Sequence, residues 1–594
     1  MIAIVALYCV LALRLIHVNL DDQFMLYRYA ANLAHGDGLT FTGGVRVEGF
    51  TSFLYVVVLA ALFKVLGLAA VVPSKIMWMT VTSKAVGLAC GIGVLFYLET
   101  LVRRVLGLPR PWAIASLLSL VLCVNFTYST TNGLETGMVT LLYTGLVTHT
   151  ILWGARRQAR KHLFAASAFA AASVLTRADG FLAVGGFVGS WVVLGVVLRR
   201  RELRGLLRDA VVLAAPAMLA YGTYSLFRHE YFGRWFPQSY YVKVYRGGWT
   251  SLLDVRDFWN FGPHKQYAWE RIPGNLRWDL VPSVWGYLVA LALLAGYLLL
   301  RGRRAESPAS FYLAQPAAGE MSPLHALLLP VLPVAPLLVF QSTVGDWMPG
   351  HRMVIQCTSP AIALLAGAGL RFVRTSAPTG RPRLGAIATL VALFVGTGIT
   401  SEQHQSQPYA AIYEVSRPAP IMATYSDQWF AVLRWRDLES CFTMYREFWA
   451  DVARRLAPGD TVAVYESGYA SLALGEETRI IDLSGLNDQR MSEYQDGEVY
   501  GVQGRTYLAC QETKDDPKGD YIVAAKPKFI ILDTFAGYWC ESGFPVRLYG
   551  GRYRYASFSH NDLGFFSVYV PEDTSLEFHA SFPNWRCSPA CLTW

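Results

Sequence analysis

The first 400 residues of the chain alternate between long apolar runs and short polar loops. A helix needs about 17 to 25 apolar residues to cross the hydrocarbon core of a bilayer. Runs near this length predict about eleven transmembrane helices, at 1–18, 75–98, 112–128, 136–154, 162–177, 180–198, 209–227, 283–300, 324–340, 353–369 and 383–399. The first run lacks a basic n-region and a small-residue cleavage site, so we interpret it as a span and not as a signal peptide. The pattern therefore predicts an α-helical polytopic membrane protein.

A further apolar run, 52–66, is predicted not to cross the membrane. Basic residues cluster between the spans at 103–110, 156–161, 199–208, 301–304 and 371–383. Because cytoplasmic loops carry an excess of Lys and Arg, all of these clusters should lie inside. They do so only when 52–66 is not counted as a span. We therefore predict a helix in the outer interface, with Tyr55 and Lys64 as interfacial residues.

This topology predicts a cytoplasmic N-terminus and an extracytoplasmic chain after residue 400. The remaining outer segments are then 19–74, 129–135, 178–180, 228–282 and 341–352. They hold dense sets of polar and aromatic residues, whereas the inner loops hold little beyond arginine. Polar groups at membrane depth are costly and are usually there for function. The active face is therefore predicted to be the outer face of the plasma (inner) membrane.

The hydrophobic pattern changes after Ile399, where the long apolar runs stop. We predict a transmembrane domain at 1–400 and a soluble extracytoplasmic domain at 401–594. Short β-rich runs predict buried strands, at 461–465, 479–482 and 528–533. An amphipathic pattern predicts a helix at 442–456, and β-rich sequence follows at 545–573. The prediction is a mixed α/β domain that binds or positions a glycan acceptor, and a purely structural lid is the alternative.

Composition supports the membrane setting and limits the partners. Only 16% of the residues are charged and 53% are hydrophobic, whereas soluble domains carry about 25% charged residues. The net charge of +9 comes from short clusters between spans, so nucleic acid is not a predicted partner. Disulfides are permitted outside the cell, where Cys441, Cys510, Cys540, Cys587 and Cys591 are predicted to lie. The spacing of Cys587 and Cys591 is too loose for a metal site, and no paired His-rich ligands accompany these residues. Adjacent acids can hold a divalent ion, but neither an essential metal nor a cofactor is predicted.

Two adjacent carboxylates, Asp21 and Asp22, directly follow the first predicted span. Neighbours on a helix point about 100° apart, so the two cannot face one point. By their spacing, Asp21, Met25, Arg28 and Asn32 share one helix face. We predict that Asp21 is a general base and that Asp22 orients a substrate hydroxyl or its partner. The structural alternative is a helix N-cap.

Other polar residues of the outer segments are candidates for donor or acceptor binding: Arg28, Glu48, Glu135, Arg177, Asp179, Gln238, Tyr241, Lys243, Asp346, His351, Arg352 and Asp482. Glu48 has the alternative of a surface ion pair with Arg46. For Glu135 the alternative is a charge that stabilises a helix N-terminus. For Asp482 the alternative is a capping acid in the loop after a strand. Arg177 is predicted to pair with Asp179 or with a lipid phosphate.

An aromatic-rich outer loop at 231–243 suits sugar rings and the membrane interface alike. Together with the acidic pair and the separated cations, it suits an anionic lipid-phosphate donor and a polyhydroxyl acceptor. The sequence has no P-loop, no G-x-G-x-x-G after a strand, no H-E-x-x-H and no G-x-S-x-G. A lipid-glycan transporter is an alternative of another class, although transporters usually show internal repeats and none is seen here. A non-catalytic assembly factor is a third.

Several strings resemble GT-C glycosyltransferases of the actinobacterial terminal β-(1→2) arabinofuranosyltransferase type. In the first outer loop they are Asp21-Asp22, Arg28-Tyr29-Ala30, Asn32-Leu33, Gly36-Asp37-Gly38-Leu39 and Arg46 to Thr51. Later strings follow in the family's order: Gly133 to Thr136, Thr176-Arg177, Pro237 with Tyr240-Tyr241 and Lys243, Met348 to Gly350 with Arg352, and Ile481 to Asp488. The departures are Phe50-Thr51-Ser52 for Tyr-Thr-Asn, Ala178-Asp179 for Pro-Glu, and Gln238 for Asn.

The resemblance implies a GT-C fold and an inverting transfer of arabinofuranose from decaprenyl-phosphate arabinose to cell-wall arabinan. It implies that Asp21 or Asp22 is the catalytic base, and that a helix folds back between the first two spans, as the run 52–66 also predicts. The leaving phosphate needs cationic stabilisation, for which Arg177, Lys243 and Arg352 are candidates. The departures leave a mannosyl- or other polyprenyl-phosphate-dependent glycosyltransferase as the alternative enzyme.

Overall fold

The computed structural model describes residues 1–14, 19, 21–105, 110–121, 124–155, 160–197, 203–243, 448–464, 467–493, 517–533, 553–558 and 566–571. The predicted spans at 283–300, 324–340, 353–369 and 383–399 lie outside the described residues. So do Asp346, His351, Arg352, the five cysteines named above and the predicted domain boundary near residue 400.

The described residues up to 243 are mostly helical. The helices are α1 (Ile2–Arg14), α2 (Asp21–His35), α3 (Phe53–Val65), α4 (Pro73–Thr100), α5 (Arg110–Val121), α6 (Val124–Thr131), α7 (Thr136–Ala155), α8 (Arg160–Thr176), α9 (Gly180–Val197), α10 (Leu203–Phe232) and α11 (Gln238–Lys243). The predicted spans 75–98, 136–154 and 180–198 agree with α4, α7 and α9 to within two residues at each end. The helical prediction for these runs is therefore confirmed.

Within the predicted span 112–128, the described residues are helical and belong to α5 and α6, on either side of residues 122 and 123. The sequence of α6 is rich in hydroxyl side chains that bond to backbone carbonyls. The Thr127 hydroxyl donates to the carbonyl of Val121, the last residue of α5, at 3.2 Å.

In the described part of the chain, two helices are long and apolar enough to cross a membrane: Pro73–Arg104 and Leu203–Phe232. The second exposes large apolar side chains along its length, among them Val211 (64%), Met218 (69%) and Leu219 (72%). A soluble protein seldom exposes a contiguous apolar surface of this kind, since water solvates it poorly. The exposed face of α10 therefore supports the predicted membrane setting.

The run 52–66 forms a helix, α3, of 13 residues. A helix of this length extends about 20 Å, which is less than the hydrocarbon core of about 30 Å. One side of α3 is buried and packs on α2, where the rings of Tyr27 and Phe63 meet at 6.1 Å. The length supports the prediction that this run does not cross the membrane.

The described residues from 448 onward, called the C-terminal region below, contain one mixed sheet. Its strands are β1 (Thr461–Val464), β2 (Arg479–Asp482), β3 (Phe529–Asp533), β4 (Tyr553–Phe558) and β5 (Phe566–Pro571), in the order β2-β1-β3-β5-β4. β1 pairs in parallel with β2 and β3, whereas β5 is antiparallel to β3 and β4. The predicted strands at 461–465, 479–482 and 528–533 are confirmed, and residues 448–454 of the predicted helix at 442–456 are helical.

Short helices accompany the sheet in the described residues, among them α12 (Ser467–Ala473), α13 (Gln489–Glu493) and α14 (Pro517–Ala524). The C-terminal region shares its hydrophobic core with α2. A single buried cluster contains Phe24 of α2, Tyr469 of α12 and Val464 of β1, and the rings of Phe24 and Tyr469 meet edge to face at 5.0 Å. The C-terminal region therefore packs directly on the first outer segment.

Candidate active site

The carboxylate of Asp21 binds the first turn of α12. Its Oδ2 accepts the backbone N–H of Gly468 at 2.7 Å, and its Oδ1 accepts that of Tyr469 at 2.8 Å. These amides belong to the first helical turn, whose N–H groups have no partner within the helix. Asp21 thus caps a helix, as the structural alternative predicted, but the helix is α12 and not its own.

The guanidinium of Arg28 binds the other end of α12. Its Nη1 donates to the carbonyls of Ser471 at 2.7 Å and Gly475 at 3.2 Å, and its Nε donates to the carbonyl of Phe41 at 3.2 Å. A cation at a helix C-terminus is favoured by the helix dipole. These contacts engage Nε and Nη1 of Arg28 without a substrate, so the structure supports a structural role for this predicted binding residue.

Asp21, Met25, Arg28 and Asn32 share one face of α2, as predicted, but other parts of the protein pack against this face. Met25 lies between Asp21 and Arg28, and its sulfur accepts the side-chain amide of Asn487 at 2.9 Å. Asn32 donates to the carbonyls of Thr40 and Phe41 in the first outer loop. The face that the spacing predicted to meet substrate is thus filled by α12 and by neighbouring loops.

The acidic pair has unusual electrostatics. Burial raises the pKa of Asp21 to about 6, and the negative charges of Asp22 and Asp482 add to the rise, whereas the amides of Tyr469 and Gly468 oppose it. Asp21 and Asp22 are both partly exposed, and Asp22 points about 100° further round the helix. A carboxylate with a pKa near neutrality is suited to proton transfer at physiological pH.

Asp482 organises the loop that follows β2. Its Oδ1 accepts the backbone N–H and hydroxyl of Ser484 at 2.9 and 2.5 Å, and its Oδ2 accepts the backbone and side-chain amides of Asn487 at 2.8 and 2.7 Å. Burial raises the pKa of Asp482 to about 6, although these hydrogen bonds lower it. The side chain is fully buried. Its contacts match the predicted alternative of a capping acid after a strand.

The loop after β2 also fits closely against the first outer segment. The hydroxyl of Tyr29 donates to the carbonyl of Val47 at 2.7 Å and lies 3.1 Å from Oδ1 of Asn487. At Gly49, a Cβ atom would overlap Oδ1 of Asn487 and approach the carbonyl oxygen of Leu486. Only glycine allows the two segments to come this close.

Glu48 is buried in a pair that the sequence did not predict. Its Oε2 lies 2.5 Å from Nε of Arg228, and its Oε1 accepts the hydroxyl of Tyr224 at 2.6 Å. Arg46 instead stacks on the ring of Tyr231 at 4.7 Å. The alternative of a surface ion pair between Arg46 and Glu48 is therefore wrong, because the C-terminal end of α10 covers Glu48. Arg228 was not among the residues predicted from the sequence, although its position as a cation directly after the apolar run 209–227 is a signal that could have identified it.

Arg177 forms a buried cluster with two carboxylates. Its Nε and Nη2 donate to Asp179 at 2.7 and 3.3 Å, and its Nη1 donates to Glu135 at 3.0 Å. The predicted pairing of Arg177 with Asp179 is confirmed. Since two acids surround one guanidinium, the charge of Arg177 is already compensated before any phosphate approaches.

The last predicted candidates with described positions lie on α11. The Gln238 side-chain amide donates to the carbonyl of Gly485 at 2.9 Å, and its oxygen accepts from Arg234 at 3.1 Å. The Arg234 guanidinium lies 4.5 Å from the ring centre of Tyr241, which is partly exposed. Lys243 is the last residue of α11. This helix therefore joins the aromatic outer loop to the loop after β2.

One comparison with known proteins matches residues around the C-terminal region, and another covers most of the chain. A family profile described as a domain of unknown function, DUF8728, matches residues 434–575. No curated protein matches the sequence closely enough to count as a relative. A similar solved structure is ArnT from Cupriavidus metallidurans bound to undecaprenyl phosphate, with 14% identity, a TM-score of 0.49, and 96% of this chain and 97% of that chain covered.

Two further solved structures are similar at lower scores. The apo state of the same ArnT has 12% identity and a TM-score of 0.46, over 92% of this chain and 93% of that one. An oligosaccharyltransferase from Archaeoglobus fulgidus, in complex with Zn and sulfate, has 11% identity and a TM-score of 0.40, over 95% of this chain and 73% of that one. All three TM-scores lie below 0.5, so the activity of this chain has to be inferred from its own residues.

Proposed function

We propose that this chain is a membrane glycosyltransferase that transfers a sugar from a polyprenyl-phosphate donor to a glycan hydroxyl. The observation that carries the proposal is the acidic pair in the first turn of α2. One carboxylate is anchored to α12 through two backbone amides, and both side chains of the pair are partly exposed. A fixed helix end that presents a carboxylate is suited to deprotonating a bound hydroxyl.

The chemistry is a single displacement. The acceptor hydroxyl oxygen bonds to the anomeric carbon of the donor sugar while the bond from that carbon to the phosphate oxygen breaks. Polyprenyl monophosphate leaves with the bonding electron pair, and the hydroxyl proton passes to a carboxylate of the acidic pair. Attack from the side opposite the leaving group inverts the anomeric carbon.

The leaving phosphate requires cationic groups that stabilise its developing charge. Arg177 is less suited to this role than the sequence predicted, because Glu135 and Asp179 already bind its guanidinium. We therefore assign the role to Lys243, which ends α11, and to Arg352 of the predicted outer turn. A monophosphate leaving group has no pyrophosphate for a divalent ion to chelate, so no essential metal is part of the proposal.

The proposed donor is decaprenyl-phosphate arabinofuranose, and the proposed product is a terminal β-(1→2) linkage on arabinan. The strings of the first outer loop, which resemble the arabinofuranosyltransferase type, support this choice. The predicted site is the outer face of the plasma membrane, with the domain at 401–594 positioning the acceptor. The close packing of the loop after β2 on α2 supports such a role, since it places the C-terminal region beside the acidic pair.

The test is sugar transfer by the purified full-length protein in lipid nanodiscs. Decaprenyl-phosphate arabinofuranose and polyprenyl-phosphate mannose serve as separate donors, with short α-arabinan and mannan acceptors. The variants are Asp21→Asn and Asp22→Asn, and Asp37→Asn is the control because its side chain is 55% exposed in a surface pair with His35. The proposal is supported if the wild type and the Asp37→Asn control transfer arabinose and at least one variant of the acidic pair does not.

The same assay separates the class of enzyme from its sugar. Transfer from the mannose donor alone would show that the protein is a glycosyltransferase and that its sugar is mannose instead of arabinose. Absence of transfer from either donor, by wild-type protein that elutes as a folded species, overturns the proposed function. If Asp21→Asn and Asp22→Asn both still transfer sugar, neither carboxylate of the acidic pair is the required base.

A further inference from the structure

Two side chains of α2 bury oxygen atoms that have no hydrogen-bond partner in the part of the chain that the structure describes. These atoms are Oε1 of Gln23 and the hydroxyl oxygen of Tyr27, and both side chains are fully buried. A buried polar atom without a partner has given up its hydrogen bonds to water and gained none in return. Since nearly all buried polar atoms in folded proteins are paired, this pair of oxygens requires an explanation.

The two oxygens converge on one point. Gln23 and Tyr27 are one turn apart on α2 and lie on the same side of the helix. A Cβ atom at Gly133, in the turn between α6 and α7, would lie 2.5 Å from Oε1 of Gln23 and 2.6 Å from the hydroxyl of Tyr27. Gly133 has a φ of 78°, a conformation that favours glycine. The turn therefore closes over both oxygens without donating a hydrogen bond to either.

The nearest hydroxyl groups are engaged elsewhere. The Ser83 hydroxyl donates to the carbonyl of Gly133 at 2.7 Å and lies 2.9 Å from the hydroxyl of Tyr55. It is close enough to oppose the rise that burial causes in the pKa of Tyr27. No hydrogen bond of ordinary geometry joins it to Tyr27, however, so the hydroxyl of Tyr27 is left over from this network.

Other contacts hold the two oxygens in place. Nε2 of Gln23 donates to Oδ1 of Asn19 at 2.8 Å, which turns Oε1 away from Asn19 and toward Gly133. The ring of Tyr27 meets the rings of Phe24 and Phe63 edge to face at 5.6 and 6.1 Å. Groups that are fixed before binding lose little conformational freedom when a ligand arrives.

The chemistry of the two oxygens selects a neutral hydroxyl group as their ligand. The amide oxygen of Gln23 only accepts hydrogen bonds, whereas the phenol of Tyr27 donates or accepts. One hydroxyl that donates to Gln23 and accepts from Tyr27 satisfies both atoms. An ionised phosphate oxygen has no proton to give to Oε1 of Gln23, so a phosphate does not match the pair.

The position of the pair on α2 points to the donor and not to the acceptor. Positions two and six residues apart on a helix differ by about 200° and 240°, so Gln23 and Tyr27 lie opposite Asp21. The Asp21 side packs on α12 of the C-terminal region. The opposite side packs on α3 and on the turn between α6 and α7. These elements belong to the predicted transmembrane domain, from which a lipid-linked donor approaches.

We propose that Gln23 and Tyr27 bind one hydroxyl group of the donor sugar and thereby contribute to the choice of sugar. This inference rests on the proposed glycosyltransferase function. The sugar hydroxyl enters beside Gly133, which requires the turn between α6 and α7 to move away from α2. The sugar is then held within one helical turn of the acidic pair.

One ordered water molecule is the alternative ligand, because water also donates and accepts. Thermal unfolding of the purified full-length protein in lipid nanodiscs, without donor, separates the two ligands. Tyr27→Phe removes only the hydroxyl. Tyr29→Phe is the matched control on the same helix, because the hydroxyl of Tyr29 donates to the carbonyl of Val47 at 2.7 Å. We expect the midpoint of Tyr27→Phe to equal or exceed that of the wild type and the midpoint of Tyr29→Phe to fall, since only the control loses a formed hydrogen bond.

Transfer kinetics then identify the hydroxyl. The donors are decaprenyl-phosphate arabinofuranose and its 2-deoxy, 3-deoxy and 5-deoxy forms, or the mannose donor and its monodeoxy forms if the wild type transfers mannose alone. The measured quantity is the ratio of kcat/KM between the parent donor and each deoxy donor. For one of the deoxy donors, this ratio should be about 2- to 10-fold smaller in Tyr27→Phe than in the wild type, the usual effect of one hydrogen bond. Gln23→Met should reduce the ratio for the same deoxy donor, because both side chains bind the same hydroxyl.

The inference is overturned if Tyr27→Phe lowers the thermal midpoint as much as Tyr29→Phe, because the hydroxyl of Tyr27 then has a structural partner such as water. It is also overturned if both variants keep the wild-type ratio for every deoxy donor, or if they reduce it for different donors. In each of these cases wild-type transfer still supports the proposed function. Absence of transfer by the wild type removes the proposed function and the donor assignment together, whereas the thermal comparison still measures whether the hydroxyl of Tyr27 has a partner.

Discussion

Glu48 and Arg228 are 180 residues apart in the chain, and their side chains meet at 2.5 Å. Both are buried, at 3% exposure each. The pair joins the predicted first outer loop to the C-terminal end of α10, next to the start of α11, where the backbone N–H of Gln238 donates to the carbonyl of Glu48 at 2.9 Å. Breaking such a pair leaves an uncompensated buried charge, which gives the first prediction.

Replacement of Arg228 by methionine should destabilise the folded protein by about 3 to 5 kcal/mol, because Glu48 then stays buried without a cation. The double variant Glu48→Gln with Arg228→Met should recover part of this loss. Thermal unfolding of the detergent-solubilised protein, followed by size-exclusion fluorescence, measures both. Arg103→Met is the matched control, since Arg103 is half exposed and its pair with Glu99 spans 3.5 Å. A single variant as stable as the control would contradict the prediction.

Gly49→Ala should loosen the contact between the first outer loop and the loop after β2. The added Cβ would overlap Oδ1 of Asn487 and approach a backbone carbonyl, and such overpacking costs about 1 to 3 kcal/mol. Gly222→Ala in α10 is the control, because a Cβ there meets nothing within 4 Å. Limited proteolysis of the two variants compares the docking of the C-terminal region. Equal rates of cleavage in both would show that Gly49 is not needed for the close approach.

Arg177→Met should lower stability even in the absence of any lipid donor. Glu135 and Asp179 are buried around this guanidinium, and removing it leaves two like charges in contact with a poorly solvating interior. The thermal midpoint without donor is the measurement, and Arg208→Met, at a side chain that is 79% exposed, is the control. If Arg177→Met instead leaves the midpoint unchanged and only raises KM for the donor, Arg177 is a phosphate ligand as the sequence predicted.

The pH dependence of stability should carry a contribution from Asp482. Its pKa is about 6 in the folded protein and about 3.9 in an unfolded chain, so the folded state binds the proton more tightly. The folded state therefore loses stability as the pH rises from about 4 to 6, and the contribution levels off above that range. Between pH 4.5 and 6.5, the thermal midpoint of Asp482→Asn should therefore decrease less than the thermal midpoint of the wild-type protein. An unchanged slope would mean that Asp482 does not titrate in this window.

The predicted topology places Lys64, at the end of α3, outside the cell and Arg208, in α10, inside. In a cysteine-free background, Lys64→Cys should react with a membrane-impermeant maleimide on intact cells, whereas Arg208→Cys should react only after permeabilisation. Both are exposed positions in the structure, so burial does not obscure the result. Reaction of Arg208→Cys on intact cells would reverse the orientation.

Much of the secondary structure was predictable from local pattern. The helices α4, α7 and α9 follow runs whose length and apolar character leave little other choice in lipid. The strands β1, β2 and β3 follow short β-rich runs. Arg177 and Asp179 are two residues apart, and a buried arginine beside an acid at a hairpin has few other ways to be compensated.

The surroundings of the acidic pair were not predictable in the same way. Helical spacing correctly placed Asp21, Met25 and Arg28 on one face, but spacing states only which side chains point together and not what lies opposite them. The partner of Asp21 is 447 residues away in the chain, and that of Glu48 is 180 away. The sequence by itself determined the helices α4, α7 and α9, the strands β1, β2 and β3, and the residues that share a face of α2. Only the tertiary structure decided that this face holds α12, because long-range pairing depends on how whole elements pack and not on the local periodicity of any one of them.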